Sequence, residues 1–134
     1  MNLIRIAAAV VVDGEGRTLL VRERGTAAYM QAGGKLGDNE PAIDALRREV
    51  REELGCDIAG SSSPLGRFRV LAANEPGRMV EAELFAVVLA GEVRPDAEIG
   101  DAIWHDPDDM ESVMLAPLTR DHALPLARQL RRSL

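Results

Sequence analysis

The sequence predicts an α/β fold, a sandwich in which helices cover a mixed sheet. Apolar runs of strand length occupy 3–12, 18–24, 65–73, 78–91 and 102–105. An amphipathic helical stretch interrupts them after residue 40, and a second closes the chain at 117–134. Strands, helix, strands and terminal helix is an order that layers of secondary structure around one core produce. At 134 residues the chain is expected to form one domain, 1–134. A chain of that size can bury roughly two-thirds of its surface, so no disulfide or metal staple is needed.

Each element has its own signature. "LIRIAAAVVV" (3–12) is short, apolar and partly β-branched, as a buried strand should be. "DGEGR" (13–17) is a turn, and "TLLVRER" (18–24) reads as the returning strand of a hairpin. "GTAAYMQAGGKLGDN" (25–39) is glycine-rich and reads as a loop with at most a short strand near Tyr29–Gln31. A helix should begin near Glu40–Pro41, because proline suits a first turn whose N–H has no helical partner. Asp38 and Asn39 are its candidate caps. Ala42, Ile43, Leu46, Val50 and Leu54 form its apolar stripe, and Gly55 stands where a C-terminal cap belongs. "NEPG" (74–77) is a turn between two strands, and the C-terminal helix is expected to kink or start near Pro125.

Composition narrows the function. The chain is 46% apolar and 28% charged, a globular balance. A net charge of −6 lacks the electrostatic footprint of a nucleic-acid polymer binder. Cys56 is the sole cysteine, which excludes an intrachain disulfide and reads as a small buried hydrophobe. The N-terminal apolar run is interrupted by Arg5 and ended by Asp13, too short for a signal peptide or a membrane span. A cytoplasmic protein without a membrane partner is expected, and the composition leaves room for a homodimer.

One stretch carries chemistry: "GKLGDNEPAIDALRREVREELGC", residues 34–56. At about 100° per residue, Glu49, Glu52 and Glu53 fall within one sector of the helix, bordering the apolar stripe. Like charges at this spacing repel by a few tenths of a kcal/mol per pair. Arg48 can pair with Glu52 but cannot neutralise all of them. A hard dication such as Mg²⁺ can, because it takes oxygen ligands and keeps several waters. The glycine loop beside the helix offers backbone carbonyls to the same site.

These residues resemble the box of the Nudix hydrolases, with Gly34, Glu40, Arg48, Glu49, Val50, Glu52, Glu53 and Gly55 at matching positions and Cys56 where an aliphatic residue is usual. The resemblance implies an α/β/α sandwich with a mixed sheet. It implies a hydrolase that uses Mg²⁺ or Mn²⁺ and water to cleave a pyrophosphate in a nucleoside diphosphate linked to another group. It implies Glu49, Glu52, Glu53 and the Gly34 carbonyl as metal ligands, Arg48 as the residue that orients the glutamates, and Glu40 as a support of the loop. Members often use one further acid from outside the box, as ligand or base. Glu98 is the expected one here, from Glu81, Glu83, Asp96, Glu98 and Asp101.

The remaining candidates concern substrate. Arg22, Arg24 and Lys35 can meet phosphates, the arginines by their fork geometry and Lys35 as a point charge beside the glycine loop. Tyr29 is the candidate for stacking on a base, and Phe85 and Trp104 are expected in the core. Ala32 stands where many family members carry proline, and "VLAA" (70–73) lacks the proline of the ADP-ribose branch. No run like those of the NADH or coenzyme A branches is present. A small-molecule nucleotide, foremost a nucleoside triphosphate, ordinary or oxidised, is therefore the expected substrate. ADP-ribose or another nucleotide sugar is the alternative, and a nucleotide-sensing module without turnover is a further one.

Overall fold

The computed structural model describes residues 3–133. Its elements run β1 (Leu3–Val10), β2 (Thr18–Glu23), β3 (Gly33–Lys35), α1 (Ala42–Leu54), β4 (Asp57–Leu71), β5 (Met79–Ala90), β6 (Ile99–His105) and α2 (Leu124–Arg131). The main sheet has the order β3-β1-β5-β4 and is mixed, with β1 parallel to β5 and the other neighbours antiparallel. β2 and β6 pair antiparallel in a second, two-stranded sheet.

Alternation along β1 divides the core. Ala7, Ala9 and Val11 face α1 and meet Leu46, Val50 and Leu54. Ala8 and Val10 face the other way and meet Leu118, Ala123 and Ala127 near α2. One helix therefore covers each face, and the expected α/β/α sandwich is the observed one. Leu46, Val50 and Leu54 are each 0% exposed, and full burial of such side chains contributes about 1.5–3 kcal/mol apiece. Alanines on β1 keep the strand thin enough for helices to approach from both sides.

Several local expectations are corrected. β2 is not the hairpin partner of β1 within one sheet. Only the bridge Val12↔Thr18 links them before β2 leaves to pair with β6. The short strand of the glycine loop lies at Gly33–Lys35, not at 29–31, where Tyr29 and Met30 make isolated bridges. Neither Asp38 nor Asn39 caps α1. Pro41 holds the cap position with no side-chain bond, and Gly55 ends the helix in the left-handed conformation at φ 65°. β4 begins at Asp57, earlier than its polar first half "DIAGSSS" indicated, and is irregular at Ala59/Ser63 and Pro64/Gly66. Trp104 is 38% exposed on β6 and does not belong to the core, whereas Phe85 packs against it. Cys56 is buried, as expected. The C-terminal segment opens with a wide helical turn at Thr119–Ala123, and the α-helix proper starts at Leu124. Pro125 lacks the N–H that a tighter ladder would use there.

Gly33 fixes how closely β3 can approach β1. Its φ is 153°, and a Cβ at this position would lie 2.1 Å from the Ala7 carbonyl oxygen. We expect Gly33→Ala to lower stability by more than about 2 kcal/mol in urea denaturation. Gly14→Ala, where a Cβ meets nothing within 4 Å, should change it by less than about 0.5 kcal/mol. Similar midpoints for the two variants would show that the β1–β3 approach is not tight.

Candidate active site

β3 and α1 are joined by the short segment Leu36–Pro41, so the first glycines of the loop lie directly beneath the acidic face of the helix. The Gly33 N–H donates to Glu53 Oε1 at 3.1 Å. A Cβ on Gly34 would meet the Glu49 carboxyl carbon at 2.5 Å. Only a residue without a side chain lets that carboxylate rest on the backbone.

Arg48 ties loop to helix. Its Nη1 donates to Glu49 Oε1 at 2.8 Å, its Nη2 and Nε reach Glu40 at 2.9 and 3.2 Å, and Nη2 also donates to the Lys35 carbonyl at 3.1 Å. The Gly37 N–H donates to Glu40 Oε1 at 2.8 Å. The Arg48 guanidinium, helped by that N–H, holds the Glu40 carboxyl below its usual range. Arg48 thus pairs with Glu40 and Glu49, whereas spacing alone had pointed to Glu52.

The electrostatics are unbalanced. Burial pushes the Glu53 carboxyl from 4.5 up to about 8, against the Gly33 N–H, with Glu49, Glu23 and Glu52 adding to the rise. Burial also raises Glu49, offset in part by Arg48. Glu52 is exposed at the edge of the same face. Among the described residues no three acid, imidazole or thiol side chains already form a metal cage. The donor set nevertheless fits a dication: two desolvated carboxylates, a third beside them and the carbonyl of a side-chain-free loop, all hard oxygen donors. Among the described residues Arg48 is the one cation bonded to these glutamates, and it reaches only Glu49.

The helix end positions the expected outside acid. The Arg94 and Asp96 N–H groups donate to the Leu54 and Glu53 carbonyls at 2.7 and 2.9 Å, and the Arg24 N–H donates to the Glu98 carbonyl at 2.8 Å. The loop before β6 is thereby fastened to the end of α1. Glu98 is exposed there. Glu81 pairs with Arg69 at 3.1 Å and Glu83 with Arg67 at 2.7 Å. Asp101 accepts the Tyr29 hydroxyl, and Asp96 accepts the Ala97 N–H.

Glu23 was not singled out from the sequence, and the structure brings it here. Burial raises its carboxyl, and Glu98 and Glu75 raise it further. A partial signal was present: Leu19 and Val21 face the core, and alternation on β2 points to Glu23 next, although the pairing with β6 shifts register between Arg22 and Glu23.

A cavity of about 210 Å³ adjoins the loop. Ile6, Ala8, Met30, Val80 and Leu118 supply apolar wall, and Glu23, Gln31, Gly34 and Lys35 supply polar groups. Lys35 Nζ lies 3.1 Å from Glu75 Oε1 at the rim. Arg22 and Tyr29 stand apart from it. Arg22 donates to the Thr26 carbonyl at 2.9 Å, and its guanidinium lies 5.8 Å from the centre of the Tyr29 ring. Arg24 is exposed.

The NUDIX domain family model matches residues 2–129. An uncharacterized Nudix hydrolase of Streptomyces coelicolor is 35% identical over 99 residues, covering 69% of this chain and 52% of the relative. The chain thus spans about half the length of that relative. An uncharacterized Nudix hydrolase of Bacillus subtilis is 25% identical over 120 residues, covering 87% of this chain and 75% of its own. The solution structure of the E. coli ORF135 protein superposes with a TM-score of 0.77 at 25% identity, covering 99% of this chain and 94% of that one.

The carboxylates set a pH dependence for the metal-free protein. Glu53 binds its proton more tightly folded than unfolded, so its own contribution to stability is fully present below the ordinary value of 4.5 and is lost as pH rises through about 8. Thermal unfolding without metal should show that loss, and Glu53→Gln should flatten it across this window. An unchanged slope in the variant would place the desolvated charge elsewhere.

Proposed function

The chain belongs to the Nudix family, and from that premise we propose that it is a metal-dependent pyrophosphohydrolase. It cleaves a pyrophosphate bond in a nucleoside diphosphate linked to another group, foremost a nucleoside triphosphate, ordinary or oxidised, to give the monophosphate and pyrophosphate. The observation that carries this reading is the acidic face of α1, with Glu49 and Glu53 resting partly buried on Gly33–Gly34 beside a base-sized cavity. Glu49, Glu52, Glu53 and the Gly34 carbonyl would hold Mg²⁺ or Mn²⁺, with Glu98 as a further ligand or base. A dication there supplies charge to the phosphate oxygens and lowers the pKa of bound water.

The chain's own groups do the positioning. Arg48 orients Glu49 and ties it to the loop through the Lys35 carbonyl and Glu40. Lys35 can exchange Glu75 for a phosphate oxygen, as a flexible point charge does. The cavity takes the nucleoside in contact with aliphatic walls. At about 210 Å³ it lies below the roughly 300–1,000 Å³ of pockets for drug-sized ligands, which suits one heterocycle better than the two halves of a dinucleotide. That favours a compact substrate over ADP-ribose. The lone, buried Cys56 suits a reducing cytoplasm.

Turnover of ordinary and oxidised nucleoside triphosphates, ADP-ribose and dinucleoside polyphosphates with Mg²⁺, read as released phosphate or pyrophosphate, tests the reading. A triphosphate should lead. If ADP-ribose leads by tenfold in kcat/KM, about 1.4 kcal/mol in the transition state, the substrate ranking fails. Nucleotide binding without any turnover would make the chain a sensor. Glu98→Gln should cost about 10²-fold in rate if Glu98 is the base. A loss under about threefold there, with the large loss in Glu23→Gln, would move the role to Glu23.

A further inference from the structure

Beside the cavity sits a polar pair that the hydrolytic reading leaves unused. Gln31 lines the cavity and is only 6% exposed. Its Oε1 accepts the hydroxyl of Thr119 at 2.7 Å, a bond between the loop before β3 and the turn before α2. Thr119 is itself 0% exposed. Among the described residues the Gln31 Nε2 has no hydrogen-bond partner. A buried amide normally satisfies both its oxygen and its nitrogen. Here the oxygen is committed and the two donor hydrogens are not.

The surroundings select what can satisfy them. The apolar walls, Ile6, Ala8, Met30, Val80 and Leu118, offer no side-chain acceptor, and none of the cavity's acceptor side chains, Glu23, Asn74 and Glu75, bonds the Gln31 Nε2. A flat heterocycle between such walls loses water from its edge and needs protein groups in return. An acceptor on that edge and the unpaired Nε2 each supply what the other lacks. Thr119 holds the amide by its oxygen, so the donor side remains for the ligand. Glycines 33 and 34, which follow Gln31 closely in the chain, line the same cavity under the Glu53 carboxylate, the end at which the hydrolytic reading puts the phosphates. One short segment therefore links base and phosphates.

We propose that Gln31, held by Thr119, is the residue that selects the nucleobase, by donating from Nε2 to an acceptor atom on the base edge. This rests on the reading of the cavity as the nucleoside seat. Discrimination arises because a ligand that offers no acceptor leaves the donor buried and unpaired, the arrangement in which polar groups select most strongly.

Two measurements test it, one without turnover. In the first, the intact protein without metal is titrated with nucleoside monophosphates and with ribose 5-phosphate, which has no base. The best monophosphate should bind at least tenfold more tightly than the sugar phosphate. Gln31→Met, similar in shape but with no donor, should reduce that ratio to below about threefold. Thr119→Val, which keeps the amide but removes its anchor, should reduce it less, and it serves if Gln31→Met does not fold. In the second, kcat/KM with Mg²⁺ is compared across the common nucleoside triphosphates and ribose 5-triphosphate. The spread among bases should narrow in the same variants. Ratios in both variants equal to those of the unaltered protein, or equal binding of ribose 5-phosphate and every monophosphate by the unaltered protein, would overturn the assignment of Gln31. Base-selective, Gln31-dependent binding without hydrolysis of any triphosphate would uphold that assignment and overturn the enzymatic reading instead.

Discussion

The acidic face of α1 lies on the bare backbone of β3, and the rest of the site is arranged around that contact. Gly33 donates to Glu53, and Gly34 leaves room for the Glu49 carboxylate where any side chain would clash. The approach is possible because β3 is pinned to β1, with Ala7 paired to Gly34 and Ala8 to Gly33. It is also possible because Ala45, Leu46, Val50 and Leu54 of α1 are buried against the same sheet. Hydrophobic burial thus holds carboxylates in a place their own charge disfavours. The folded chain stores an electrostatic deficit that a dication can relieve, with Arg48 meeting only part of it.

Much of this was legible in the sequence, for identifiable reasons. The helix carries strong periodicity and its glycine terminator, so its span and buried stripe follow from local chemistry. The spacing that puts Glu49, Glu52 and Glu53 in one sector is a property of any α-helix. What could not be read locally is pairing across the chain. β2 is apolar like a hairpin partner of β1, but its partner is β6, far along the sequence. β4 opens with "DIAGSSS", which lacks strand propensity, and it becomes a strand through its ladder with β5. Asp38 and Asn39 have capping chemistry, yet the cap position falls to Pro41.

The same division holds at the site. Residues of the box could be placed together in advance because their positions follow from one helix and one loop. The outside acids depend on how distant segments meet. Glu98 reaches the neighbourhood because backbone N–H groups of Arg94 and Asp96 finish the last carbonyls of α1. Glu23 comes with the inward face of β2, a position its alternation with Val21 had partly marked. Gln31 and Thr119 lie far apart in sequence, and their bond exists only once the turn before α2 closes over the sheet. Arg22 is drawn to the Thr26 carbonyl and toward Tyr29, which strand position could not reveal.

The partly buried carboxylates of Glu49 and Glu53 hold a charge deficit that a cation can relieve. The most direct test of that deficit is the thermal unfolding midpoint of the wild type and of Glu53→Gln, measured against Mg²⁺ concentration at a pH above 8, where Glu53 is ionised. A ligand that binds only the folded state raises stability by about 2.7 kcal/mol at a hundred times its dissociation constant. A saturable rise of this kind is expected in the wild type. Glu53→Gln should show a higher metal-free midpoint and a much smaller rise on adding Mg²⁺. Equal metal-free midpoints and equal Mg²⁺ shifts in the two proteins would mean that no such deficit exists at Glu53.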